Sequence, residues 1–178
     1  EAYFYLGDFK KASSLFWRAW QLVQNSEKYE YFKSLKSNIM KTSYWLGDLH
    51  KAKEFSVLYR KEVEKSQQGC EDLGYSMEEL MTRLTTKSKQ QVYNLFCSAF
   101  YAGDYEQARA YLNIVEASCM CWWCDEDECT EMWDARGFMA YLEGDIEDAR
   151  KKFQTADRVC WLGSSKEMRM MLRRIDKE

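Results

Sequence analysis

The sequence predicts an all-α protein built from antiparallel helical hairpins, with a capping helix at the C-terminal end. Three observations carry that reading. A short motif occurs four times, as "FYLGDFKKA", "YWLGDLHKA", "FYAGDYEQA" and "AYLEGDIEDA". The 178 residues include no proline, which favours uninterrupted helices and short turns. Apolar residues on either side of each motif recur at intervals of three or four, the spacing of one helix face.

Each motif has aromatic residues, then Gly-Asp, an apolar residue, and Ala three further on. The glycines are Gly7, Gly47, Gly103 and Gly144; the alanines are Ala12, Ala52, Ala108 and Ala149. Glycine supplies the positive φ that ends a helix. The Asp that follows caps the next helix through its side-chain oxygen. Repetition at this period marks a repeat architecture.

The elements follow in order. The first unit, near 1–25, opens on "EAYFYLGDF", which reads as the middle of a helix, so a fragment of a longer protein is expected. In the second unit, near 27–68, "SEKYEYFKSLKSNIMKTSYWLGD" reads as one helix of about five turns capped by Ser26. Gly69 and Gly74 mark a break after it. The third unit, near 76–118, begins with an additional helix whose capping box is Ser76 and Glu79. Its last helix runs from about Tyr105 to Ala117. The fourth unit, near 125–161, starts at a second capping box, Asp125 and Glu128, where four acids complement the positive helix end. Its first helix carries Trp133, Met139, Ala140 and Leu142, and its second a stripe of Ile146, Ala149, Phe153 and Ala156. The capping helix, 165–178, places Met168, Met171, Leu172 and Ile175 on one face and Arg169, Arg173, Arg174 and Lys177 away from it.

These motifs resemble the tetratricopeptide repeat. The first unit matches the family pattern with Gly7, Asp8, Phe9, Ala12, Phe16 and Ala19, and the fourth with Gly144, Asp145, Ile146, Ala149, Phe153 and Ala156. The second departs at Ser56 and Tyr59, the third at Leu112 and Val115, and the family's closing proline is missing throughout. Successive glycines also lie further apart than the family's ~34 residues. The resemblance implies a single α-solenoid domain whose first helices line a concave groove for a protein or peptide. On that frame the groove residues are Phe4, Tyr5, Tyr44, Trp45, Phe100, Tyr101 and Tyr141, with Lys41, Tyr93, Cys97, Asp134 and Phe138. Aromatic side chains suit peptide recognition because they bring large area at low entropic cost; packing between neighbouring helices is the competing role for each. Ser37, Lys41, Tyr93 and Cys97 hold the places where some family members clamp a carboxylate, so that specificity is not expected here.

Composition narrows the partners. Apolar residues make up 46% and charged residues 31%, with a net charge of −3, so nothing calls for nucleic acid or a membrane. No run approaches the roughly 18 apolar residues of a membrane span. Seven cysteines is an odd number for a disulfide framework, which favours a reducing, cytoplasmic setting.

Four of the cysteines crowd into "CMCWWCDEDEC", as Cys119, Cys121, Cys124 and Cys129. On the repeat frame they fall in the turn and first helical residues before the fourth unit. Four thiolates there fit a structural zinc ion, the one cofactor the sequence raises. Cys160 is a fifth candidate ligand: Cys129 and Cys160 each lie about 22–24 Å along a helix from Gly144, at the same end of that hairpin. Packed free thiols and a disulfide or redox switch remain open beside zinc. Against metal stand the adjacent acids, whose charge repels a tetrathiolate site unless amides, Lys or Arg screen it.

Catalysis is not expected. His50 is the only histidine and sits beside Asp48 at a helix start. No phosphate-binding glycine loop occurs, and no carboxylate pair stands out for acid–base work. The function expected is a protein- or peptide-binding scaffold or adaptor. A metal- or redox-responsive sensor and an accessory domain of a larger enzyme are the alternatives.

Overall fold

The computed structural model describes residues 2–24, 33–71, 86–118, 130–159 and 166–177. Among them the only regular secondary structure is helical: α1 (Ala2–Tyr5), α2 (Phe9–Val23), α3 (Lys33–Trp45), α4 (Leu49–Glu71), α5 (Thr86–Tyr101), α6 (Tyr105–Ser118), α7 (Thr130–Leu142), α8 (Ile146–Val159) and α9 (Lys166–Ile175). None of these is long and apolar enough to cross a membrane.

The four Gly-Asp motifs build the same turn. Gly7, Gly47, Gly103 and Gly144 have φ between 76° and 82°. Each glycine N–H donates to the carbonyl three residues back, and each following Asp N–H to the carbonyl five back; for the first turn these are Gly7 to Phe4 at 2.9 Å and Asp8 to Tyr3 at 2.9 Å. That double closure satisfies carbonyls a helix end leaves open. Asp8, Asp48 and Asp145 then cap α2, α4 and α8, accepting from the N–H groups of Lys11, Lys51 and Asp148 at 3.0–3.1 Å.

Apolar spacing decides what each helix buries. α2 turns in Ala12, Phe16 and Trp20; Ala19, the residue expected from the repeat pattern, is only half-buried beside Trp20. α4 buries Ala52, Phe55, Ser56, Tyr59 and Val63. It also runs through Gly69 to Glu71, past the break expected there. An isolated glycine costs a helix only ~1 kcal/mol and does not by itself stop it. α5 is buried almost continuously from Leu95 to Tyr101, the pattern of a helix surrounded by protein.

α7 and α8 approach closely at one glycine. An added Cβ on Gly137 would lie 2.7 Å from the Phe153 ring, so this mid-helix glycine is where α8 approaches. Phe138 meets the same ring edge-on at 5.2 Å. α9 packs on α8 and buries Met168, Met170, Met171 and Ile175. The expected face is thus corrected in two places: Met170 is buried and Leu172 half-buried, while Arg174, expected to face away, donates from Nε to the Tyr141 hydroxyl at 2.9 Å.

Two compact units can be drawn. Unit 1 comprises Glu1–Leu73 with Cys97–Tyr105, and unit 2 comprises Gly74–Phe96 with Glu106–Glu178. The expected caps at Ser26, Ser76 with Glu79, and Asp125 with Glu128 lie outside the described residues.

Candidate partner-binding site

In unit 1 the expected groove residues come together. Each aromatic pair before a Gly-Asp turn is edge-to-face: Phe4 with Tyr5 at 5.3 Å, Tyr44 with Trp45 at 5.0 Å, Phe100 with Tyr101 at 5.3 Å. Phe9, just after the first turn, contacts Phe4 at 5.5 Å and stacks on Trp45 at 6.1 Å. Tyr44 and Trp45 then reach Tyr101, and Tyr44 reaches Phe100. The Tyr44 and Tyr105 hydroxyls lie 3.2 Å apart. Rings from three turns thereby form one continuous row. Edge-to-face pairs contribute roughly 0.5–1.5 kcal/mol beyond their buried area.

The row has two kinds of member. Phe4, Phe100 and Tyr101 are 1–2% exposed and hold the helices together. Tyr5, Tyr44 and Trp45 are half-buried, as are Phe9 and Tyr105. Lys41, also half-buried, holds its ammonium 5.5 Å from the Tyr101 ring. A ligand would therefore meet Tyr5, Tyr44, Trp45 and Lys41. Ser56, which is buried, fills the place where the repeat pattern has a large residue. Its hydroxyl lies 2.8 Å from the Ser98 carbonyl and 3.0 Å from the Ser98 hydroxyl. A small polar pair there lets α4 and α5 approach.

The remaining expected residues belong to unit 2, apart from Cys97, and are engaged with its own helices. The Tyr93 hydroxyl donates to buried Asp134. Tyr93 also stacks on Phe96 at 6.1 Å. Phe138 is buried against Phe153, and Tyr141 accepts from Arg174. Cys97, in unit 1, is buried, the small packed residue its sequence context indicates.

Sequence reasoning missed a cleft in unit 2 between α6 and α7. It has a volume of about 430 Å³. Leu112, Met139 and Ala140 supply its apolar lining. Charged groups pair across it: Arg136 with Glu116 at 2.6 Å, and Arg109 with Glu143. The Arg136 guanidinium lies 5.0 Å from the Trp133 ring. These partners are 20 or more positions apart in sequence, so no local spacing announces them.

Cys119, Cys121, Cys124, Cys129 and Cys160 lie outside the described residues. Among the described residues no group of three or more His, Cys, Asp or Glu is placed to hold a metal ion. His50 is exposed, beside the capping Asp48. No family model, no curated protein and no solved structure matches the chain.

Proposed function

We propose that the chain is a helical-repeat binding module, a solenoid of tetratricopeptide-like hairpins that holds a protein or peptide and performs no catalysis itself. The observation that carries this reading is the aromatic row of unit 1, in which Tyr5, Tyr44 and Trp45 stay half-buried although their neighbours are fully packed. Partly exposed aromatics on a rigid support are what peptide recognition uses, since little side-chain entropy is lost when they are covered. Lys41 adds one charge at the edge of the row and favours a ligand with a carboxylate there. The recurrence of one turn at four places supports the repeat reading.

A peptide array probed with the whole chain tests the proposal. Ligands retained by the parent protein should be lost from Lys41→Glu and weakened in Tyr5→Ala, with a thermal melt of each variant checking that it remains folded. Tyr44→Phe, which removes only the hydroxyl facing Tyr105, should alter affinity less. An array without ligands, or ligands indifferent to all three changes, would refute the groove.

A further inference from the structure

We infer that the turn edge of unit 1 is a second docking surface, for an acidic peptide segment that also carries apolar side chains. Its leucines and lysines lie outside the aromatic row, and only the stack of Phe9 on Trp45 is shared with it. Leu6 and Leu46 immediately precede the first two turn glycines, and Leu49 opens α4; they are 68%, 40% and 53% exposed. The stack of Phe9 on Trp45 sets the first turn beside the second, so the three leucines belong to one edge.

Charge on this edge runs against helix stability. The N-terminal end of a helix carries about half a positive charge and is stabilised by acids in its first turn. α6 has Glu106 there, α8 has Glu147 and Asp148, and α9 has Glu167. α2 and α4, like α3 and α5, have no acid there. They carry Lys10 and Lys11, and Lys51, instead. Asp8 and Asp48 offset part of that charge while capping the helices.

None of the three lysines forms an ion pair among the described residues. Lys11 and Lys51 lie over the rings of Tyr3 and Trp17, 4.1 and 3.6 Å from their centroids. A ring face holds an ammonium group without cancelling its charge, and Lys11 also interacts with the Tyr3 hydroxyl and Asp8. Other cations sit on acids, as in Lys36 with Glu62, Arg150 with Asp176 and Lys152 with Asp148. Three exposed leucines beside three lysines whose charge Asp8 and Asp48 offset only in part match an acidic, apolar segment in both charge and hydropathy. An anionic membrane is the weaker match, because the leucines sit on turns and do not form the wide apolar face of an interfacial helix.

The test uses the whole chain and a capped Glu–Leu peptide of about twelve residues, three helical turns. Glu–Ser and Lys–Leu peptides of the same pattern and vesicles of phosphatidylserine and phosphatidylcholine are the controls. The Glu–Leu peptide should bind at least about tenfold more tightly than either control peptide. Lys10→Glu combined with Lys51→Glu should remove that preference, and Leu6→Ser with Leu49→Ser should weaken binding by about the same factor. All four sites are at the surface or half-buried, and a thermal melt of each variant checks the fold. Lys10→Gln with Lys51→Gln serves if charge reversal disturbs it. Lys41→Glu, in the aromatic row, should leave this binding unchanged, which separates failure here from failure of the groove. Equal binding of the Lys–Leu peptide, indifference to the lysine changes, or capture of vesicles without the peptide would overturn the assignment.

Discussion

Gly47 and Gly137 are both constrained, for unrelated reasons. Gly47 has a φ of 79° and no atom within 4 Å of an added Cβ, so only its backbone matters. Gly47→Ala should destabilise by about 1–2 kcal/mol, the cost of a left-handed L-residue. Gly137 is helical and would gain up to about 1 kcal/mol of propensity as Ala. Its Cβ would, however, press on Phe153, whose ring is fully buried. Overpacking costs about 1–3 kcal/mol and should win. Urea midpoints for both variants, repeated with Phe153→Leu, check this: the smaller side chain should rescue Gly137→Ala and not Gly47→Ala. Only the first of these glycines was legible, because a turn glycine belongs to a local motif whereas Gly137 answers to a ring 16 residues away on another helix. Ser56 is similar. The sequence marks it as a departure from the repeat, and only its bond to the Ser98 carbonyl supplies the reason. Ser56→Ala should cost about 1 kcal/mol in chemical denaturation.

Helices whose ends and faces are set by local spacing were read closely. The segment expected from Tyr105 to Ala117 is α6, Tyr105–Ser118. The stripe Ala149, Phe153 and Ala156 is the buried face of α8. α9 behaves differently. Its apolar face was visible, but three apolar positions in succession, Met170 to Leu172, with Met168 two places before them, fit more than one rotation of the helix, and packing on α8 chose the one that buries Met170. Met171 is fully buried against that helix. Met171→Ala should therefore cost about 2–5 kcal/mol, whereas Leu172→Ala, half-buried, should cost less. Calorimetry on the two variants distinguishes the observed rotation from the expected one. Asp48→Ala and Asp145→Ala should each lose about 1 kcal/mol of capping.

At the scale of the molecule, a solenoid and a globule differ in how damage spreads. Each repeat of a solenoid contacts its neighbours alone, so stability is a sum of local terms. Hydrogen exchange on Gly137→Ala should show faster exchange in α7, α8 and α9 and unchanged protection in α2 and α3. Loss of protection throughout the chain would refute the solenoid reading.

The sequence by itself determined the helical class, the four Gly-Asp turns, the caps at Asp8, Asp48 and Asp145, the extent of α6 and the buried stripe of α8. All of these depend on residues within a few positions of one another, where φ preference, capping and a 3.6-residue period act directly. It also placed the aromatic pairs of α1, α3 and α5, though not their division into buried and half-exposed rings. Tertiary structure decided that division, together with the approach of α8 at Gly137, the Ser56–Ser98 pair and the ion pairs across the cleft of unit 2. Each of these depends on which surfaces meet, and side chains far apart in sequence become neighbours only when the helices pack.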